Sequence, residues 1–196
     1  MKFTDRFLQN WRIAKVRRYI SPGAKILDIG SADGALFRRL GPVAGAGSMG
    51  VDPTLKEPLM VNNFVLQAGY FPAAIPAAAG QFDAITMLAV LEHFPETGYD
   101  ALRAGCEARL RPGGKLLITV PSQSVDLILK WLTFFRLIDG MSLEEHHGYE
   151  AGRTQEIFAP PQFRLVCHQR FQLGLNNFFA FERTAAATRP PAPTPT

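Results

Sequence analysis

The sequence predicts an α/β fold: a mostly parallel sheet of seven strands, helices on both faces, and a C-terminal antiparallel hairpin. Three observations carry that reading. Short apolar runs alternate with helical segments, which argues crossover connections between parallel strands. Several runs end in a glycine or an acid. The last two strand-like runs, Phe163–Phe171 and Asn177–Arg183, are joined only by Leu173-Gly174-Leu175-Asn176, too short for a crossover helix, so they must pair antiparallel.

Taken in order, Phe3–Ile20 places Phe3, Phe7, Trp11 and Ala14 at helical spacing among Arg6, Arg12, Lys15, Arg17 and Arg18. This is an amphipathic helix closed by Ser21-Pro22-Gly23, either docked through Phe3, Phe7 and Trp11 with its charges in water or supporting a contact with a membrane surface. Strands are expected at Lys25–Ile29, Ser48–Val51, Phe64–Gln67, Phe82–Leu88 and Lys115–Val120. The fourth is a continuous apolar run, as in a strand covered on both faces. Helices are expected at Ala35–Leu40 and Thr97–Leu110, the second stopped by Arg111-Pro112-Gly113-Gly114. The expected organisation is an N-terminal helix over 1–20, one domain over 21–184, and a disordered Ala/Pro/Thr tail over 185–196.

Ligands of open α/β sheets sit beyond the carboxyl ends of the strands. After the first strand comes Asp28-Ile29-Gly30-Ser31-Ala32-Asp33-Gly34, and after the second Asp52-Pro53. The glycines permit close backbone approach, and an acid after the second strand suits the two hydroxyls of a ribose. Asp28 could instead cap the loop, and Asp52 could be a turn former. The dinucleotide fingerprint fails, because Ala32 and Ala35 replace two of its glycines and Asp33 opposes a pyrophosphate. A nucleoside without phosphates fits better.

Ile26–Gly34 followed by Gly50-Val51-Asp52 resembles the first two motifs of class I S-adenosylmethionine-dependent methyltransferases. Phe82–Phe94 and Leu110–Pro121 are similar to their fourth- and fifth-strand motifs, and the likeness covers about Ala24 to Arg183. It points to the small-molecule, type 11/12-like branch with a Rossmann-like fold. The resemblance implies S-adenosylmethionine as cofactor and S-adenosylhomocysteine as product. It implies a cofactor site of Asp28, Gly30, Ser31, Ala32, Gly34, Asp52, Pro53, Gln67, Ala68, Gly69, Met87 and Leu88. Where the family often has an acid after the third strand, this chain has Gln67-Ala68-Gly69-Tyr70. Related quinone-type O-methyltransferases can carry a metal-supporting acid three residues before the Glu-His pair; Ala89 stands there, so no metal is expected.

On the acceptor side, a hydroxyl usually needs a general base, and histidine suits that role. Adjacent His146 and His147, beside Glu144, Glu145 and Gly148, are the first candidates, with His93 in reserve; Glu92 and His93 could equally begin a helix. His168 shares strand parity with Arg164 and Arg170, a solvent face. The apolar run Leu127–Ile138 reads as a covering helix, a lid over an apolar acceptor, or a helix resting on a membrane.

Composition narrows the function classes. With 47% apolar and 19% charged residues, a wholly disordered chain is excluded. The net charge of +4 is scattered, so nucleic acid is an unfavoured partner. Two distant cysteines suggest a reducing compartment, and neither a signal peptide nor a spanning segment is recognised, so a cytoplasmic location is expected. The expected function is methyl transfer to a small acceptor, apolar or lipid-linked, at a hydroxyl oxygen, with peripheral membrane contact conceivable. The alternatives are a nucleic-acid methyltransferase and a non-catalytic S-adenosylmethionine-binding protein.

Overall fold

The computed structural model describes residues 3–122 and 149–185. The run Leu127–Ile138, His146, His147 and the tail beyond Ala185 lie outside the described residues. Helix α1 covers Phe3–Arg17, α2 Ala35–Leu40, α3 Tyr99–Arg109 and α4 Arg153–Ile157. The strands are β1 Ile26–Ile29, β2 Met49–Asp52, β3 Leu59–Val61, β4 Phe64–Ala68, β5 Phe82–Leu88, β6 Leu110–Pro121, β7 Phe163–Phe171 and β8 Asn176–Arg183. They form one sheet in the order β3-β4-β2-β1-β5-β6-β8-β7. The pairs β4-β2, β2-β1, β1-β5 and β5-β6 are parallel, and β6-β8 and β8-β7 are antiparallel.

The sheet has eight strands rather than seven. The additional one, β3, pairs antiparallel with β4 from Leu59↔Leu66 to Val61↔Phe64. Asn62, at φ 54, supplies the left-handed residue of the two-residue turn. Three residues with Leu59 and Met60 exposed carry no alternating signal, so periodicity does not reveal this strand. β6 also begins earlier than expected, because Leu110 pairs with Phe82 before Arg111–Gly114 bulge outward and Lys115 rejoins the ladder.

Side chains of the central strands alternate between two cores. Leu27, Ile29, Ile85, Met87, Leu116 and Ile118 face one side, together with Leu102 and Cys106 of α3 and Ile157 of α4. Ile26, Ala84, Leu117, Phe178 and Ala180 face the other, against Leu36, Phe37 and Leu40 of α2 and Ile13 and Val16 of α1. Helices therefore shield both faces of the parallel strands.

The face by which α1 docks corrects the sequence expectation. Ile13 and Val16 are buried at 3% and 0% exposure, whereas Phe7 and Trp11 remain 55% and 39% exposed. Both stripes have helical spacing, and only the position of the sheet selects between them. Gln172 at the β7–β8 turn donates to the Leu8 carbonyl at 2.8 Å, and Lys15 donates to Gln169 of β7. These bonds orient the helix with its aromatic stripe outward.

Replacing Ile13 by alanine is expected to cost about 2–4 kcal/mol through transfer and cavity terms, and Phe7→Ala less than about 0.5 kcal/mol. Urea denaturation of both variants checks this; equal losses would place the aromatic stripe in the core.

Candidate functional site

The strand order reverses between β1 and β5, and the turns after them meet there. Asp28 is paired in register with Thr86 on one side and Gly50 on the other. Thr86 Oγ1 donates to Asp28 Oδ1 at 2.7 Å, and both residues are buried. Burial pushes the Asp28 carboxyl up to about 7, the Thr86 bond opposes that rise, and the nearby Asp52 charge adds to it.

The turn after β1 is built from left-handed residues: Gly30 at φ 76, Ala32 at φ 43 and Gly34 at φ 77. A Cβ at Gly30 would lie 2.3 Å from a Val90 methyl, so the loop after β5 rests on bare backbone. Ala32 holds a conformation costing an L-residue about 1–2 kcal/mol. Its N–H donates to Asp52 Oδ2 at 2.7 Å. Asp52 also accepts from the Thr54 N–H at 2.8 Å and from its hydroxyl. The second-strand acid therefore clamps both turns; Oδ1 is filled by its two Thr54 bonds, and Oδ2 keeps a further lone pair for a ligand. Beside it, the Ser31 hydroxyl is buried without a hydrogen-bond partner. Asp33 is ion-paired to Arg38 and accepts from the Ala35 N–H. Its repulsion of phosphate is thus partly offset, and the case against a dinucleotide rests on the missing glycines.

The other expected cofactor residues gather at the same edge. The Gly69 N–H donates to the Asp52 carbonyl at 3.1 Å, bringing Gln67, Ala68 and Gly69 beside the second strand end. Pro53 is exposed, Leu88 is half-buried, and Met87 is fully buried in the core beneath the edge.

Past β5 the chain turns at Ala89, φ 58, whose N–H is shared between the Thr119 carbonyl at 2.9 Å and its hydroxyl at 3.1 Å. The next turn, Leu91–His93, leaves His93 exposed and draws the Glu92 carboxyl inward. Glu92 Oε2 is buried with no hydrogen-bond partner, and burial pushes the carboxyl up to about 7 against the pull of the Arg12 guanidinium from α1. Tyr149 lies in the same electrostatic neighbourhood, with its hydroxyl 2.9 Å from that of the buried Thr154 and its pKa raised by burial. Tyr99 is raised likewise. This constellation draws on α1, the β5 turn, α3 and the segment before α4. A lone Leu-Glu in sequence gives no sign that three other elements will enclose it. His168 stacks on Phe179 at 4.1 Å between centroids and shares a 3.0 Å bond with Asn177, on the exposed face expected for it.

Residues 3–157 match a methyltransferase domain family. The chain belongs to that family, which is of the class I S-adenosylmethionine-dependent kind. The curated relatives it resembles include the ubiquinone biosynthesis O-methyltransferase of Xanthomonas axonopodis pv. citri, at 30% identity over 117 residues, 55% of this chain and 48% of that protein. The namesake of Xanthomonas campestris pv. campestris strain B100 is 30% identical over 110 residues, 52% and 45% of the two chains. The matches thus span about half the length of these relatives. In fold, the chain resembles the 1,6-didemethyltoxoflavin-N1-methyltransferase of Burkholderia thailandensis, solved with its substrate and S-adenosylhomocysteine: TM-score 0.67, 17% identity, covering 93% and 81% of the chains. It also resembles the magnesium protoporphyrin IX methyltransferase of Synechocystis PCC 6803, solved with bound SAH: TM-score 0.62, 14% identity, covering 91% and 83%.

The near-neutral carboxyls set a pH dependence. Asp28 and Glu92 have ordinary values of 3.8 and 4.5 and stand near 7 in the fold. The folded state keeps protons that the unfolded chain releases between about pH 4 and 7, so stability falls as pH rises through that window. Glu182, held low by Lys115 and Arg164, acts oppositely and only at more acid pH. Thermal melts from pH 5.5 to 8 should show the midpoint dropping, and Asp28→Asn with Glu92→Gln should flatten the slope. An unchanged slope in that double variant would remove the assignment.

Proposed function

We propose that this protein transfers a methyl group from S-adenosylmethionine to a hydroxyl oxygen of a small, apolar acceptor. The observation that carries the proposal is the pair of buried carboxyls at the ends of β1 and β2, flanking a bare-backbone turn with an unpartnered Ser31 hydroxyl. The residues fit the cofactor: Asp28, Gly30 and Gly34 would face its methionine part, Asp52 its ribose, and Ser31 has a hydroxyl to spare. When bound, S-adenosylmethionine supplies an electrophilic methyl on a sulfonium. The chain's part is to align the acceptor with it, worth up to roughly 7–11 kcal/mol in well-oriented systems. The oxygen acceptor is supported by the likeness to the Xanthomonas O-methyltransferases and by a carboxyl suited to taking a proton. Two of the fold neighbours, by their names, methylate small molecules.

A hydroxyl acceptor calls for a base. His146 and His147 are the candidates from sequence, with His93 in reserve. Glu92 joins them, since its near-neutral titration suits proton removal and one of its oxygens has no partner.

Two outcomes test the cofactor and the base separately. By calorimetry, Asp52→Ala should lose about 1.5–3 kcal/mol of S-adenosylmethionine affinity. Because the cofactor is cationic it favours ionised Asp28, so affinity should fall toward acid below about pH 7, by up to tenfold per unit, and Asp28→Asn should abolish that dependence. Unchanged affinity in folded Asp52→Ala would sink the ribose assignment. With an acceptor found by screening phenols, sugars, lipids and carboxylates for S-adenosylhomocysteine release, the variants His146→Ala, His147→Ala, His93→Ala and Glu92→Gln should keep cofactor affinity. The one that removes the base should lose roughly 10²–10⁴-fold in turnover. Parent-rate turnover in all four would mean that no base among them is used.

A further inference from the structure

Helix α1 is apolar on two sides, and among the described residues only one of them is buried. Opposite the buried Ile13 and Val16, the rings of Phe7 and Trp11 meet edge-to-face at 5.7 Å, with exposures of 55% and 39%. Scattered single apolar residues are ordinary on a surface, but an aromatic pair is a larger exposed feature. It has a third member. Leu173 stands at the tip of the β7–β8 turn with 94% of its surface exposed, and the Gln172-to-Leu8 bond brings that tip to the same helix. Leu173 also holds a left-handed conformation, φ 56, where asparagine or glycine fits at lower cost. Its exposure is not repaid by packing among the described residues. On the same helix and just past its end, Arg6, Arg17 and Arg18 are all exposed.

We propose that this face seats the protein on an anionic lipid bilayer, with Phe7, Trp11 and Leu173 entering the headgroup boundary and Arg6, Arg17 and Arg18 meeting lipid phosphates. An aromatic stripe edged by basic residues matches helices that lie in the plane of a membrane interface. The charges favour lipid over a second copy of this chain, because a two-fold contact would set the arginine clusters of both copies against each other. Among the described residues no helix is long and apolar enough to cross a membrane. The inference deepens the functional reading in one respect: it rests on that reading for the idea that an apolar acceptor is met at the lipid surface, while the docking itself does not depend on it.

The experiment uses the full chain and vesicles of phosphatidylcholine with or without 30% phosphatidylglycerol. Sedimentation should show binding to the anionic vesicles, weak binding to the neutral ones, and release by high salt. In a Trp131→Phe background the emission of Trp11 should be open to acrylamide in the free protein, then shift to the blue and become shielded on the anionic vesicles. The double variant Phe7→Ser/Trp11→Ser, the single variant Leu173→Ser and the charge reversal Arg17→Glu/Arg18→Glu should each weaken partitioning, the two double variants by tenfold or more. Unchanged calorimetric affinity for S-adenosylmethionine shows that these variants are folded. Failure to bind anionic vesicles, or binding indifferent to all three variants, overturns the proposal. So does a Trp11 already shielded in the free protein, which means that another part of the chain or a second copy covers it. A protein that binds vesicles but not S-adenosylmethionine would keep the docking face and lose the methyltransferase reading instead.

Discussion

Everything at the functional edge depends on how closely the loop after β5 can approach the turn after β1. Gly30 has no side chain, and a Val90 methyl occupies the space where a Cβ would stand. Parallel strands from opposite sides of the order reversal would otherwise end in two separate loops. With Val90 against Gly30, the Ala89–His93 segment lies over the glycine turn, and the groups expected to hold the cofactor adjoin those expected to face the acceptor.

The two strand-end carboxyls work differently despite their similar positions. Asp52 spends part of its bonding capacity on the protein itself, satisfying Ala32 and Thr54, and so fixes a left-handed conformation that glycine would adopt at lower cost. Asp28 is enclosed, bonded to Thr86, and held near neutrality by desolvation. A cationic ligand would release its proton. The site therefore combines a clamp whose charge is already engaged with a carboxyl whose charge a cation can call up. Buried polar groups of this kind cost stability unless they are satisfied, and the predicted weakening of the fold toward neutral pH is the signature of that cost.

Helix α1 links this edge to the outer surface. Its inner face packs on the sheet, Arg12 reaches the electrostatic neighbourhood of Glu92, and its outer face presents Phe7 and Trp11. One element thus reaches the buried Glu92 carboxyl while exposing apolar area.

Much of this was legible in the sequence because it is local chemistry. The run Phe82–Leu88, the helix Ala35–Leu40 and the hairpin strand Phe163–Phe171 have the bounds expected from periodicity and turn residues, which depend on neighbours along the chain. The glycine turn and the acids at 28 and 52 were visible because strand ends are marked by residues that can leave a strand. Tertiary structure decided the rest. Strand β3 exists only because β4 offers a partner edge, so three largely exposed residues had no pattern to show. The docking face of α1 was chosen by where the sheet's apolar surface lay, since two stripes of equal spacing competed for it. Glu92 became a near-neutral carboxyl only when α1, α3 and the segment before α4 closed around it. Its desolvation depends on residues far apart in the chain, and no local window of sequence contains them.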